Sequence, residues 1–254
     1  LRFYDSQEVA IIPCVKPITK YAVTVLDKNE IRYHLEKALF LATHGRKGPV
    51  WIDVPLDIQG AVVEEEDLKS FNPDDEGFTS KPTIAESDIN RLYDYLNSSK
   101  RPLILIGHGV VASGRQEEIR NIVEEFNIPV VATWRAKGIF GDEEELFMGS
   151  PGIPTTRYSN YALQNSDFLL IIGSRLNPVI TAYDEKAFAP DATKIMVDIG
   201  KGEIDKLSME FAMKIEADAA YYNIDSKFKL IGREDGVIEL GERGLVNDVV
   251  SGRG

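Results

Sequence analysis

The feature that most constrains this chain is a repeated alternation in its second half. Short apolar runs, "LILI" (103–106), "PVVA" (129–132), "FLLII" (168–172) and "KIMVDI" (194–199), are separated by stretches with helical periodicity. The stretch 88–98 places Ile89, Leu92, Tyr93 and Leu96 on one helical face, and 114–126 does the same with Ile119, Ile122, Val123 and Phe126. A second pair of helices is expected at 156–165 and, shorter, around 184–188. Strands apolar on both faces, alternating with amphipathic helices, predict a parallel sheet covered on both sides. The expected fold class is α/β, a doubly wound parallel sheet over residues 88–222, preceded by a partial α/β segment over 1–60.

In that first segment, "NEIRYHLEKALFLATH" (29–44) carries Ile31, Leu35, Ala38, Leu39 and Ala42 on one face. Asn29 is the expected N-cap, and Gly45 stands where a left-handed C-cap belongs. "GPVWIDVP" (48–55) reads as a strand closed by Pro55. Residues 61–87 then turn acidic, with Gly and Pro and no sustained period, and are expected to form a surface linker. The tail, 223–254, shows no period and receives no assignment. The first residue is Leu1 and no charged-then-apolar leader follows, so the chain is expected to be a piece of a longer polypeptide.

In open α/β sheets, ligands bind beyond the carboxyl ends of the strands. The stretch "RPLILIGHGVVASG" (101–114) sets Gly107, Gly109 and Ala112 in the spacing of a dinucleotide loop, where missing side chains admit a phosphate. Beyond the next strand come Thr133 and Arg135 in "VATWRAKGIF". In "IIGSRLN", Gly173 permits close approach and Arg175 has the fork geometry for a pyrophosphate. Asp198, in "VDIG", suits ribose hydroxyls. Glycines after strands also serve turns alone, so two readings stand: an adenine nucleotide site or plain corners. NAD is disfavoured, because "PVVATW" ends without the acid that such a site needs.

A net charge of −12 argues against a nucleic-acid or anionic-membrane partner. The lone Cys14 excludes an internal disulfide framework and a multi-cysteine zinc site, and fits a reducing, cytoplasmic setting. His34, His44 and His108 have no metal-pair spacing and are expected to be structural or solvent-facing. No nucleophile elbow and no G-x-x-x-x-G-K-[ST] phosphate loop is present.

Taken in order, these motifs resemble a known family. "KPITKYAVTV" and "GRKGPVWIDVPLDIQ" are similar to the end of the pyrimidine-binding domain of thiamine-diphosphate enzymes. "RPLILIGHGVVASG", "FNIPVVATWRAKGIF", "MGSPG", "SDFLLIIGSRLN" and "KIMVDIGKGEI" look like their central domain, with acetolactate synthase and its decarboxylase and carboligase relatives nearest. The resemblance covers roughly residues 10–222. It implies thiamine diphosphate and Mg²⁺ in the whole enzyme, a small 2-keto acid as substrate, and a homo-oligomer. The G-D-G motif expected to hold the magnesium diphosphate does not occur in this sequence, so no catalytic residue is assigned and the chain alone is expected to be inactive.

The resemblance also implies a central-domain site for FAD or ADP. It would use Gly107, Gly109, Thr133, Gly149, Gly152, Gly173, Arg175 and Asp198. Two departures weigh against flavin. "GSRLNPV" stands where acetolactate synthases tend to read G-x-R-F-D-D-R, and "GSPG" stands for G-M-H-G. The competing expectation is a standalone nucleotide-binding or regulatory module without catalysis. An NAD-dependent deacylase, which wants a four-cysteine zinc module, does not fit one cysteine.

Overall fold

The computed structural model describes residues 9–78 and 84–217, which divide between two compact units, one ending at Lys81 and the other beginning at Pro82. The first unit is a single β-α-β crossover with additions. Helix α1 (Ile11–Val15) precedes strand β1 (Tyr21–Thr24); helix α2 (Ile31–Thr43) then leads to β2 (Val50–Asp53) and the short α3 (Leu56–Gln59). The strands are parallel, with Tyr21 opposite Val50 and Thr24 opposite Asp53, as a helical crossover requires. One 3₁₀ turn, Lys28–Glu30, starts the helical stretch, so the capping side chain is Asp27, which accepts from the Asn29 N–H at 2.9 Å. Asn29 is therefore the capped residue and not the cap. Gly45 adopts φ +61°, the left-handed stop its position implied.

Residues 61–78 stay with the first unit rather than running free. Phe71 and Phe78 set their rings against Phe40 of α2, each at 5.6 Å between centroids. An acidic composition hides two aromatic anchors.

In the second unit, α4 (Glu86–Ser98) leads to β3 (Pro102–Ile106), α5 (His108–Ser113), α6 (Gln116–Phe126), β4 (Val130–Ala132) and α7 (Arg157–Asn165). There follow β5 (Phe168–Ile172), β6 (Thr193–Asp198), α8 (Lys201–Asp205) and β7 (Met213–Glu216). Five parallel strands lie in the order β4-β3-β5-β6-β7. Alternate side chains feed two cores, one on each face. Ile104, Ile106, Leu170, Ile172, Ile195 and Val197 pack with Leu92, Leu96, Ile119, Ile122 and Val123 of α4 and α6. Leu103, Leu105, Leu169, Ile171 and Met196 pack on the opposite face with Leu163 of α7 and Ile204 of α8. The sheet is doubly wound.

The helix expected at 184–188 is a series of turns. The Asp184 carboxylate accepts from the N–H groups of Lys186 and Ala187, which diverts the backbone from helical bonding. Ala182, Tyr183 and Ala189 hold positive φ, which no right-handed helix accommodates, and the irregular path buries Phe188. Strand β7 had no counterpart in the sequence expectations. Its four residues alternate buried and exposed, too short a run for a period to register. The tail, 223–254, lies outside the described residues.

Candidate functional site

In this sheet the chain passes from β3 outward to β4, then crosses back to β5 on the other side of β3. That reversal makes the carboxyl ends of β3 and β5 the place where an open α/β sheet forms a crevice. Gly107 follows β3 and Gly173 follows β5, so the two glycine turns face one another there.

They meet at backbone distance. The Gly107 N–H donates to the Ile172 carbonyl at 2.9 Å, and the Gly109 N–H donates to the Gly173 carbonyl at 2.9 Å. A Cβ on Gly107 would stand 2.3 Å from the Gly173 oxygen and 2.5 Å from Ser174 Cα. On Gly109 it would stand 2.6 Å from Gly173 Cα, and on Gly173, which also needs φ +61°, 2.7 Å from Gly109 Cα. All three glycines are required by one another. The N–H groups of Gly107 and Gly109, two of the donors that a phosphate cradle draws on, are engaged across the reversal.

The remaining candidates form three further groups around this edge. Thr133 closes β4: its N–H donates to Ile106 and its carbonyl accepts from Ala136 and Lys137. Two residues on, Arg135 meets His108 across the turn, with Nη2 3.2 Å from Nε2 and the Arg135 carbonyl 3.3 Å from Nδ1. The ring thus bridges the two turns, in contact with the Arg135 guanidinium on one side and the Arg135 carbonyl on the other.

Gly149 and Gly152 belong to the loop before α7. Gly149 holds φ +76° and its carbonyl accepts from Ala132; a Cβ would press on Thr156 Oγ1 at 2.9 Å. Gly152, at φ +110°, is gripped by Asn160, which accepts from its N–H (2.9 Å) and donates to its carbonyl (3.0 Å). A Cβ there would meet the Val179 carbonyl at 2.6 Å.

Arg175 and Asp198 occupy the far side. The Arg175 Nε lies 2.9 Å from Glu203 Oε1, with the arginine side chain still 64% exposed. Burial alone would raise the Glu203 carboxyl, but the bonds from Lys206 and Arg175 outweigh it and hold the group below the usual carboxylate range. Asp198 is buried, and its Oδ1 accepts from the Gly200 N–H at 2.9 Å, turning the chain into α8. Sequence reasoning missed Glu203 and Asn160. Glu203 acts on Arg175, twenty-eight positions earlier, and Asn160 on the loop glycine Gly152 before its own helix, and neither pairing leaves a spacing signal.

His34 accepts or donates at the Tyr21 hydroxyl, 2.6 Å away, and His44 stacks on Phe40 at 4.4 Å, so neither stands in a ligating group. Among the described residues, no cluster of three His, Cys, Asp or Glu could hold a metal ion, and no helix is long and apolar enough to cross a membrane.

Residues 89–222 match the family described as the central domain of thiamine pyrophosphate enzymes. The acetolactate synthase large subunit of Corynebacterium glutamicum is 37% identical over 206 residues, covering 79% of this chain and 32% of that protein. A probable acetolactate synthase large subunit of Methanocaldococcus jannaschii is 35% identical over 201 residues, covering 79% and 34%. The isozyme 1 large subunit of Escherichia coli is 32% identical over 212 residues, covering 84% and 36%. The chain thus spans about a third of the length of the curated relatives it matches.

Proposed function

The chain belongs to the thiamine pyrophosphate enzyme family, with an acetolactate synthase-like sequence, and from that membership we propose that it serves a thiamine-diphosphate-dependent decarboxylase or carboligase of small 2-keto acids. Its central domain acts there as a scaffold rather than as a nucleotide site. The activity is proposed for a polypeptide of the relatives' length. Thiamine diphosphate supplies carbanion stabilisation beside a keto carbon. The described residues contain neither a metal-ligating cluster nor a G-D-G motif, so cofactor and Mg²⁺ are assigned to residues outside them.

One observation carries the scaffold reading. At the sheet reversal, the turn after β3 packs its backbone directly on the turn after β5, with the N–H groups of Gly107 and Gly109 donating inward. Arg175, the candidate pyrophosphate clamp, is paired with Glu203, and Asp198 spends its Oδ1 on the Gly200 N–H. The residues present do not fit a dinucleotide phosphate. FAD and ADP therefore take no part in the proposed reaction.

Two measurements test this. The purified protein should be colourless, and ADP or FAD at saturating concentration should leave its melting temperature unchanged; a flavin spectrum or an ADP-dependent rise overturns the scaffold reading. Release of CO₂ from pyruvate or another 2-keto acid, dependent on thiamine diphosphate and Mg²⁺, should appear in the polypeptide of relatives' length and be absent from residues 1–254 alone. A homo-oligomer in the cytoplasm belongs to the same proposal; light scattering and a tagged protein in cells check it.

A further inference from the structure

The segment that composition marks as a linker is held at several points to the 3₁₀ turn Lys28–Glu30 and to α2. Lys28 Nζ donates to the Val62 carbonyl at 2.6 Å. The Lys69 N–H donates to Asn29 at 2.9 Å, and Lys69 Nζ pairs with Glu30 at 2.7 Å. The Phe71 N–H donates to Glu36 at 2.8 Å. Further on, Glu76 pairs with Lys37 at 2.7 Å and accepts from the Tyr33 hydroxyl. The first part of the strap thus meets the 3₁₀ turn at Lys28–Glu30, and its later part, Phe71 to Glu76, meets Tyr33, Glu36 and Lys37 of α2.

The last station differs in kind from the others. Lys37 Nζ lies over the rings of Tyr21 and Tyr33, 5.3 Å from each centroid, and 6.0 Å from that of Phe71. Its side chain is only 17% exposed. The ammonium is therefore sheltered by aromatic faces on one side and neutralised by Glu76 on the other. The rings of Phe71 and Phe78 close over Phe40 beneath it. The fully buried apolar side chains of the described first unit are few, Val15, Val25 and Ala38, whereas both large cores lie in the second unit. A segment held by charges and half-buried rings is the part of such a unit that opens at least cost.

We infer that residues 62–78 form a latched strap: loss of the Lys37–Glu76 pair raises the population in which it leaves α2 as one piece, uncovering Tyr33 and Phe40, while β1, α2 and β2 stay folded. The strap is a conformational device of the first unit, with Glu76 as its catch.

Trypsin reads the release directly, because Lys69 lies inside the strap while Arg32 and Lys37 lie in α2. When cleavage is slower than reclosing, its rate follows the open population. Cleavage after Lys69, scaled to that of the free 62–78 peptide, is expected to be strongly suppressed in the 254-residue chain. Glu76→Gln should raise it about fivefold, the upper range for a single ion pair, with Arg32 and Lys37 still protected. The charge swap Lys37→Glu with Glu76→Lys should restore most of the protection. Added salt should speed Lys69 cleavage in the parent more than in Glu76→Gln, a comparison that holds even if the swap folds poorly. Equal acceleration at Lys69 and Arg32, or no response at Lys69, would overturn the inference.

Discussion

Gly107→Ala isolates the contact that closes the sheet reversal. The backbone at Gly107 has φ −115° and ψ −177°, extended values open to any residue, so the substitution adds no dihedral strain. What it adds is one methyl group, 2.3 Å from the Gly173 oxygen, 2.5 Å from Ser174 Cα and 2.7 Å from the Gly173 carbonyl carbon. All three neighbours are backbone, so no rotamer change relieves them. Overpacking a dense interior costs about 1–3 kcal/mol. Separating the turns by the needed ångström also strains two hydrogen bonds of 2.9 Å, from Gly107 to Ile172 and from Gly109 to Gly173, worth about 1 kcal/mol each. The expected loss is about 3–5 kcal/mol, which lowers the melting temperature of a unit of this size by about 6–20 °C. The chain has two tryptophans, Trp51 in the first unit and Trp134 in the second, so Trp51→Phe leaves a single reporter beside the altered turn. Thermal melts followed by Trp134 fluorescence and far-ultraviolet circular dichroism measure the shift. Gly202→Ala is the matched control: a helical glycine with open space where its Cβ would go, expected to stabilise by about 0.5–1 kcal/mol. If Gly107→Ala melts with the parent, the two turns are not in contact, and the reasoning that assigns the glycines to packing fails.

Phe168 is buried at the start of β5, and Phe168→Ala should cost about 3–5 kcal/mol in urea titrations of the second unit, with the m-value unchanged. Glu203 titrates below its ordinary value of 4.5, so the stability it contributes is present above that pH and is lost as pH falls through its folded value. Glu203→Gln should therefore destabilise at neutral pH, by under about 1 kcal/mol for so exposed an arginine partner, with variant and parent converging below pH 4.5. Denaturation series at neutral and acid pH check the convergence; a gap that persists in acid contradicts it.

What could be read from the sequence follows burial. The strands 103–106, 129–132, 168–172 and 194–199 matched the observed β3, β4, β5 and β6 within a residue because the middle of each is buried on both faces, which leaves a continuous apolar run; the polar Lys194 and Asp198 fall only toward the ends of β6. Strand β1 and strand β7 lack that property: the first is half-buried throughout and the second alternates over four residues. The turns at 184–188 resemble a helix because Glu185, Lys186 and Ala187 are good helix formers by composition. The deciding bonds come from the Asp184 side chain, and propensity does not count those. The strap was illegible for a different reason. Its seven-residue spacing from Phe71 to Phe78 has meaning only against α2, whose residues lie some thirty positions earlier.

The candidate site shows the same limit more sharply. A glycine is demanded wherever a Cβ cannot go, and spacing reports that demand without its cause. A phosphate resting on the turn after β3 and a neighbouring backbone resting there leave the same G-x-G in the sequence. Here a backbone neighbour is present at Gly173, sixty-four positions after Gly109, and it accounts for the glycines under the proposed scaffold reading. The N–H that would donate to an anion instead donates to a carbonyl across the reversal. Gly173 makes the case independently, since its left-handed φ and its 2.7 Å Cβ clearance to Gly109 need no ligand to explain them. Arg175 fits the same account: it pairs with Glu203 of α8 and ties the turn after β5 to the turn after β6. A glycine pair at one strand end, matched by a left-handed glycine at its neighbour's, is thus a pattern for shutting a sheet reversal as much as for filling one. Which of the two a chain uses is decided by where the amide hydrogens point.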